Sequence, residues 1–79
     1  MTTERHDAYA IQQFVCQRRN GSTAVVPRGS CVIEEGPYFA AICWVTATGR
    51  GRAEITFKAL RHHIEQGHIA YKQAWRKQA

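Results

Sequence analysis

DAYAIQQFVCQRRNG, residues Asp7 to Gly21, is the stretch on which the fold turns. Two readings compete for it. Ala8, Ile11, Phe14 and Val15 recur at separations of three, four and seven, the spacing of one helical face. Glu4 and Asp7 stand at its front and Arg18 and Arg19 at its end, which suits the helix dipole. Asn20-Gly21 then supplies a left-handed stop. The same Asn20-Gly21 pair is also a hairpin turn signal, with Phe14–Arg18 and Thr23–Val26 as the two arms. Gln12, Gln13 and the alanines favour the helix. The expectation is therefore a helix over residues 8–19, preceded by a disordered N-terminus at 1–6.

Outward from there the chain reads as strands. Ser22–Val26 is short and β-branched, and Pro27-Arg28-Gly29-Ser30 reads as a turn. Cys31–Glu34 is a second strand, broken by Gly36-Pro37. Tyr38 to Ala47 runs without a charge and is apolar on both alternating faces, as in a central strand. Thr48-Gly49-Arg50-Gly51 is a glycine-rich turn, and Arg52–Thr56 returns as an antiparallel partner. Thr56 caps a helix over Phe57–Gln66 that stops at Gly67, with Phe57, Leu60 and Ile64 buried and Lys58, Arg61, His62 and Glu65 in water. Residues 68–77 fit strand or helix, and their Ala, Lys, Gln and Arg content favours helix. The expected fold is a single α+β domain over 1–79. It has a three- to four-stranded antiparallel sheet, an N-terminal helix, and one or two C-terminal helices packed on one face. Arg52–Thr56 or Thr23–Val26 would be an open sheet edge, which admits a homodimer as well as a monomer.

A chain of 79 residues builds only a small core, with little room for a deep supported cleft. Cys16, Cys31 and Cys43 are odd in number and contain no CxxC, so reduced thiols rather than a disulfide framework are expected. No apolar run approaches membrane-spanning length and no apolar signal region opens the chain, so the expected compartment is the cytoplasm and no membrane partner is expected. The charge is lopsided. Gly49–Ala79 holds seven of the eleven Lys and Arg residues against two acids, a net +5, while residues 1–48 balance to zero.

The candidate contact residues follow from that asymmetry. Arg50 and Arg52, on a glycine-flanked turn, can each grip an anion with paired donors. Lys58, Arg61 and His62 on the next helix, and Lys72, Arg76 and Lys77 on the tail, extend a basic surface if they share a side. Reversal of Arg50 and Arg52 to Glu is expected to weaken docking at nearly unchanged stability. No helix-turn-helix or RNA-binding signature accompanies the charge. Consecutive His62 and His63 point about 100° apart on a helix, so they do not share an ion easily, and no metal or cofactor is expected. Cys43 would be inert in a central strand, and Glu34 and Glu35 face opposite ways. There is no phosphate loop or dinucleotide fingerprint, so an enzyme is not expected.

In size, expected compartment and charge asymmetry the chain resembles the small inhibitors that phages and mobile elements encode against host machinery, anti-CRISPR proteins among them. The resemblance lies in this profile rather than in a residue pattern. It implies a non-enzymatic binding protein that docks on a larger macromolecule, a nucleoprotein complex or an acidic protein surface, and masks it. The alternatives are direct, mainly backbone-driven binding of DNA or RNA, and a small metal- or thiol-dependent protein.

Overall fold

The computed structural model describes residues 3–72. In chain order these form β1 (Glu4–Ala10), β2 (Phe14–Gln17), β3 (Thr23–Val26), β4 (Gly29–Glu35), β5 (Ala40–Thr46), β6 (Gly49–Ile55), α1 (Phe57–Glu65) and β7 (Ile69–Tyr71). β6, β5, β4, β1 and β7 make one antiparallel sheet in that order, and β2 and β3 make a separate two-stranded hairpin. More than half of the described residues are strand and one helix is present among them, so the protein is mostly β.

This overturns the expected α+β arrangement with an N-terminal helix. Residues 8–19 hold the end of β1, a crossing and β2. The buried side chains are Ala8 and Ala10, then Phe14 and Cys16, a period of two within each arm. Ile11 and Val15, which a helical stripe would bury, are 51% and 60% exposed. Propensity lost to long-range pairing: β1 is flanked on both sides, with Ala8 opposite Cys31 of β4 and Tyr71 of β7. Glu4 to His6 belong to β1 rather than to a disordered lead. Arg5 lies opposite Glu34 and His6 opposite Ile33.

Asn20-Gly21 sits in the hairpin loop. Phe14 pairs with Val26 and Gln17 with Thr23. Gly21 takes a φ of +93°, and the Asn20 side-chain Oδ1 accepts the Ser22 N–H at 3.0 Å and its hydroxyl at 2.7 Å. The glycine-rich turn expected at 48–51 is also displaced. Thr46 pairs with Gly49 across Ala47 and Thr48, so Gly49, Arg50 and Gly51 lie inside β6. At the other end, β7 replaces a helix over residues 69–71, while 73–77 lie outside the described residues.

α1 follows the reading more closely. The Thr56 hydroxyl accepts the Ala59 N–H at 3.1 Å, and Gly67 at φ +81° follows the last turn. Its buried residues are Leu60 and His63, while Phe57 stays 37% exposed. The core joins one face of the sheet to α1 and the hairpin: Ala8, Ile33, Ile42, Ala53, Ile55 and Ile69 meet Phe14, Cys16, Val26 and Leu60. No described helix is long and apolar enough to cross a membrane.

Candidate docking face

The strand period decides which side chains share the uncovered face of the sheet. With Ala8, Ile33, Ile42 and Ala53 turned to the core, Asp7 and Tyr9 of β1 turn the other way, as do Val32 and Glu34 of β4. Cys43 and Val45 of β5 join them, with Arg50 and Arg52 of β6. Lys72 reaches the same side, its Nζ donating to Ser30 Oγ at 3.0 Å and lying 4.2 Å over the Tyr9 ring. This face forms an open groove of about 710 Å³ with Val32, Cys43 and Val45 at its centre and Arg5, Arg50, Arg52 and Lys72 around it.

Charge on the face is interleaved. Arg52 donates from Nη1 to Glu34 Oε1 at 2.6 Å and from Nη2 to Glu54 Oε2 at 3.4 Å. Arg5 Nε stands 3.7 Å from the other Glu34 oxygen. The hydrogen bond from Arg52 holds the Glu34 carboxyl below its ordinary range, and Glu34 in turn pushes the Arg52 guanidinium further up. Glu34 and Glu54 are the cross-strand neighbours of Ala41 on either side. Ala41, between them, is only 1% exposed on an otherwise open face. Arg50 makes no side-chain hydrogen bond or ion pair with another described residue.

A second basic cleft, of about 480 Å³, lies where the β2–β3 loop meets β6 and is lined by Arg18, Arg19, Asn20, Arg52 and Glu54. The Arg19 N–H donates to the Glu54 carbonyl at 2.8 Å, and its guanidinium lies 4.1 Å over Phe39 and 3.7 Å from the Glu54 carboxylate. Sequence reasoning missed these two arginines because it assigned them to a helix terminus. The hairpin reading of Asn20-Gly21 was the signal that places them at a loop tip.

The expected contact residues therefore divide. Arg50, Arg52 and Lys72 come together on the open face. Lys58, Arg61 and His62 lie on the exposed side of α1, in the layer that covers the opposite face. Arg76 and Lys77 lie outside the described residues.

The histidines divide too. His63 is buried against Phe14, with its Nδ1 at 2.9 Å from Nδ1 of His68, and burial pushes its pKa down. A different group converges at the far end of β1. Glu4, His6 and Glu35 bring ligand atoms within 4.8 Å of one another, and Tyr71 donates to Glu35 at 2.8 Å. These are the described residues with a shape suited to a cation, and only the β1–β4 register makes them visible. Cys16 and Cys31 are buried, with thiol pKa values pushed up by burial, whereas Cys43 lies in the inner strand β5 as expected but is half-buried on its open face. No known protein family, characterised protein or solved structure matches the chain.

Proposed function

We propose that this chain is a non-enzymatic docking protein that lays the open face of its sheet on an acidic surface of a larger protein or protein complex and masks it. The supporting observation is the sheet covered on one side only, with an apolar-centred groove ringed by arginines and a lysine on the other. Masking of this kind is the mode of small phage and mobile-element inhibitors.

A protein partner suits the face better than nucleic acid does. Among the described residues, Arg5, Arg50, Arg52 and Lys72 are interleaved with Asp7, Glu34 and Glu54, so four bases meet three acids. A phosphate backbone needs a continuous positive track, and Lys58, Arg61 and His62 lie in the other layer and do not extend one.

The test compares wild-type chain with Arg50→Glu in affinity purification from native host extract, alongside anisotropy titrations with DNA and RNA at two salt concentrations. A protein retained by the wild type and lost by Arg50→Glu is the expected result. Equal retention by both overturns the assignment of the face. Nucleic-acid binding whose affinity falls steeply with salt would establish the backbone-driven alternative instead.

A further inference from the structure

β6 is one of the two outer strands of the five-stranded sheet, and the bonding phase of its free side is fixed by its neighbours. In an antiparallel strand the N–H and C=O of one residue point the same way, and the direction alternates along the chain. The Glu54 carbonyl turns away from β5, because it accepts the Arg19 N–H at 2.8 Å. Arg52 and Arg50, in the same phase, therefore also turn their main-chain groups outward. Gly49, in the opposite phase, turns its carbonyl inward to the Thr46 hydroxyl of β5 at 3.2 Å. No described residue takes up the N–H and C=O groups of Arg50 and Arg52 on this side. β6 is thus open from its start until Arg19 closes it at Glu54.

The side chains beside this edge restrict what can pair with it. Arg50 and Arg52 stand on one side of the strand, and Arg18 and Arg19 stand at its closed end. A second copy of this chain pairing β6 to β6 would bring like charges face to face, which opposes pairing. An extended acidic segment meets opposite charge instead. On the other side of the strand, Gly49 and Gly51 carry no side chain, and the half-buried Trp44 indole lies over Gly51. An added strand would there place a side chain beside the indole.

We infer that β6 takes up an extended acidic segment of its partner as an added strand, hydrogen-bonded to the main chain of Arg50 and Arg52. Acidic side chains lie on the arginine side and apolar ones beside Trp44, so the recognised segment alternates between the two. This rests on the docking reading and adds its geometry.

The test titrates ¹⁵N-labelled full chain with the blocked peptide Glu-Val-Glu-Val-Glu-Val-Glu and with the same peptide carrying Lys for Glu. Amide exchange is read at Arg50 and Arg52. The expected result is binding of the acidic peptide alone, with those two amides slowed at least about tenfold. Arg50→Pro removes an outward N–H at an edge, where proline is tolerated. It should weaken binding about fivefold more than Arg50→Gln, which removes only the charge. If Arg50→Pro fails to fold, amide exchange in the wild-type chain decides. Three results overturn the inference: no binding of the acidic peptide at millimolar concentration, equal binding of the Lys peptide, or binding with both amides still exchanging at the free rate. The last leaves docking through side chains intact. Failure of docking itself is read separately, as retention of the host protein by Arg50→Glu.

Discussion

Gly51→Ala tests the packing of β6 directly. Gly51 has no positive φ, so its backbone accepts an L side chain. Alanine in a strand is favoured over glycine by about 0.5–1 kcal/mol on conformational grounds. What opposes it is Trp44: a methyl on Gly51 would land on indole atoms Cε2, Cζ2 and Nε1. The indole must swing off the strand, re-exposing roughly 60–80 Å² of apolar surface between the ring and the strand it covers, which costs about 1.5–2 kcal/mol. The net expectation is a loss of about 1 kcal/mol, or roughly 4–8 °C in Tm for a chain of this size. Urea unfolding followed by far-ultraviolet circular dichroism, which needs no tryptophan and so reads every variant alike, measures it. The decisive control is Trp44→Ala. Without the indole, Gly51→Ala should become stabilising, so the effect changes sign between backgrounds. Equal destabilisation in both, or a gain in the presence of Trp44, would refute the reasoning that the indole and the bare glycine are one unit.

The other expectations concern charge, pH and thiols. Arg52→Glu should destabilise by about 1–2 kcal/mol by setting a third carboxylate beside Glu34 and Glu54, after discounting for the partial exposure of these groups. Arg50→Glu should change stability by less than about 0.5 kcal/mol; chemical denaturation of the pair shows whether Arg52 is structural. The two hydrogen bonds of Arg52 are the reason this differs from the expectation that reversing Arg50 and Arg52 leaves stability nearly unchanged. His63 has a folded pKa below its ordinary 6.5, so the unfolded chain binds more protons in the interval between the two values. Its contribution is complete above the unfolded value and is lost as pH falls below it, with a slope of at most about 1.4 kcal/mol per pH unit. His63→Phe should flatten the urea midpoint between pH 7 and pH 5, and an unchanged slope would remove His63 as the cause. Glu34, whose pKa is lowered, acts in a more acidic window: its stabilisation persists above the ordinary carboxylate range and is lost as pH falls through its folded value. Of the three thiols, Cys43 should react first with an aromatic disulfide reagent and Cys16 and Cys31 only on unfolding. Simultaneous reaction of all three in the native state would contradict the burial.

α1 was legible because each of its signals is local. Thr56, the Leu60 position, Gly67 and the exposed Lys58, Arg61 and His62 follow from neighbours within one or two turns. β5 was legible for a related reason, since a charge-free run with two apolar faces has few other homes. The first twenty residues were not legible, because what decides them is non-local. Ala8 is fully buried between Cys31 and Tyr71, residues far along the chain, and no window around Ala8 contains them. The same limit hid much of the candidate docking face. Lys72 and Ser30 are 42 positions apart and Arg52 and Glu34 are 18 apart, so the interleaving of acids with bases appears only once the register is set.

That interleaving bears on how a partner can use the face. A small chain covers only one face of its sheet, and the open side is held by cross-links between strands rather than by apolar cover. Arg52 ties β6 to β4 across β5 through its hydrogen bond to Glu34 and also bonds Glu54 of its own strand. A ligand that drew Arg52 to itself would break the Glu34 contact, subtracting from its own affinity. Arg50 carries no such obligation among the described residues, and its main-chain groups point off the edge. On the proposed docking, the partner's attraction would therefore concentrate at Arg50 and the bare edge of β6, with Arg52 tying the strands together. A charge-preserving Arg52→Lys, which cannot span both Glu34 and Glu54, should accordingly lower stability more than it lowers docking, and Arg50→Gln should do the reverse. Opposite rankings of the two variants in unfolding and binding assays would separate a platform residue from a contact residue. Identical rankings would mean that the face acts as one undivided charge, contrary to the geometry.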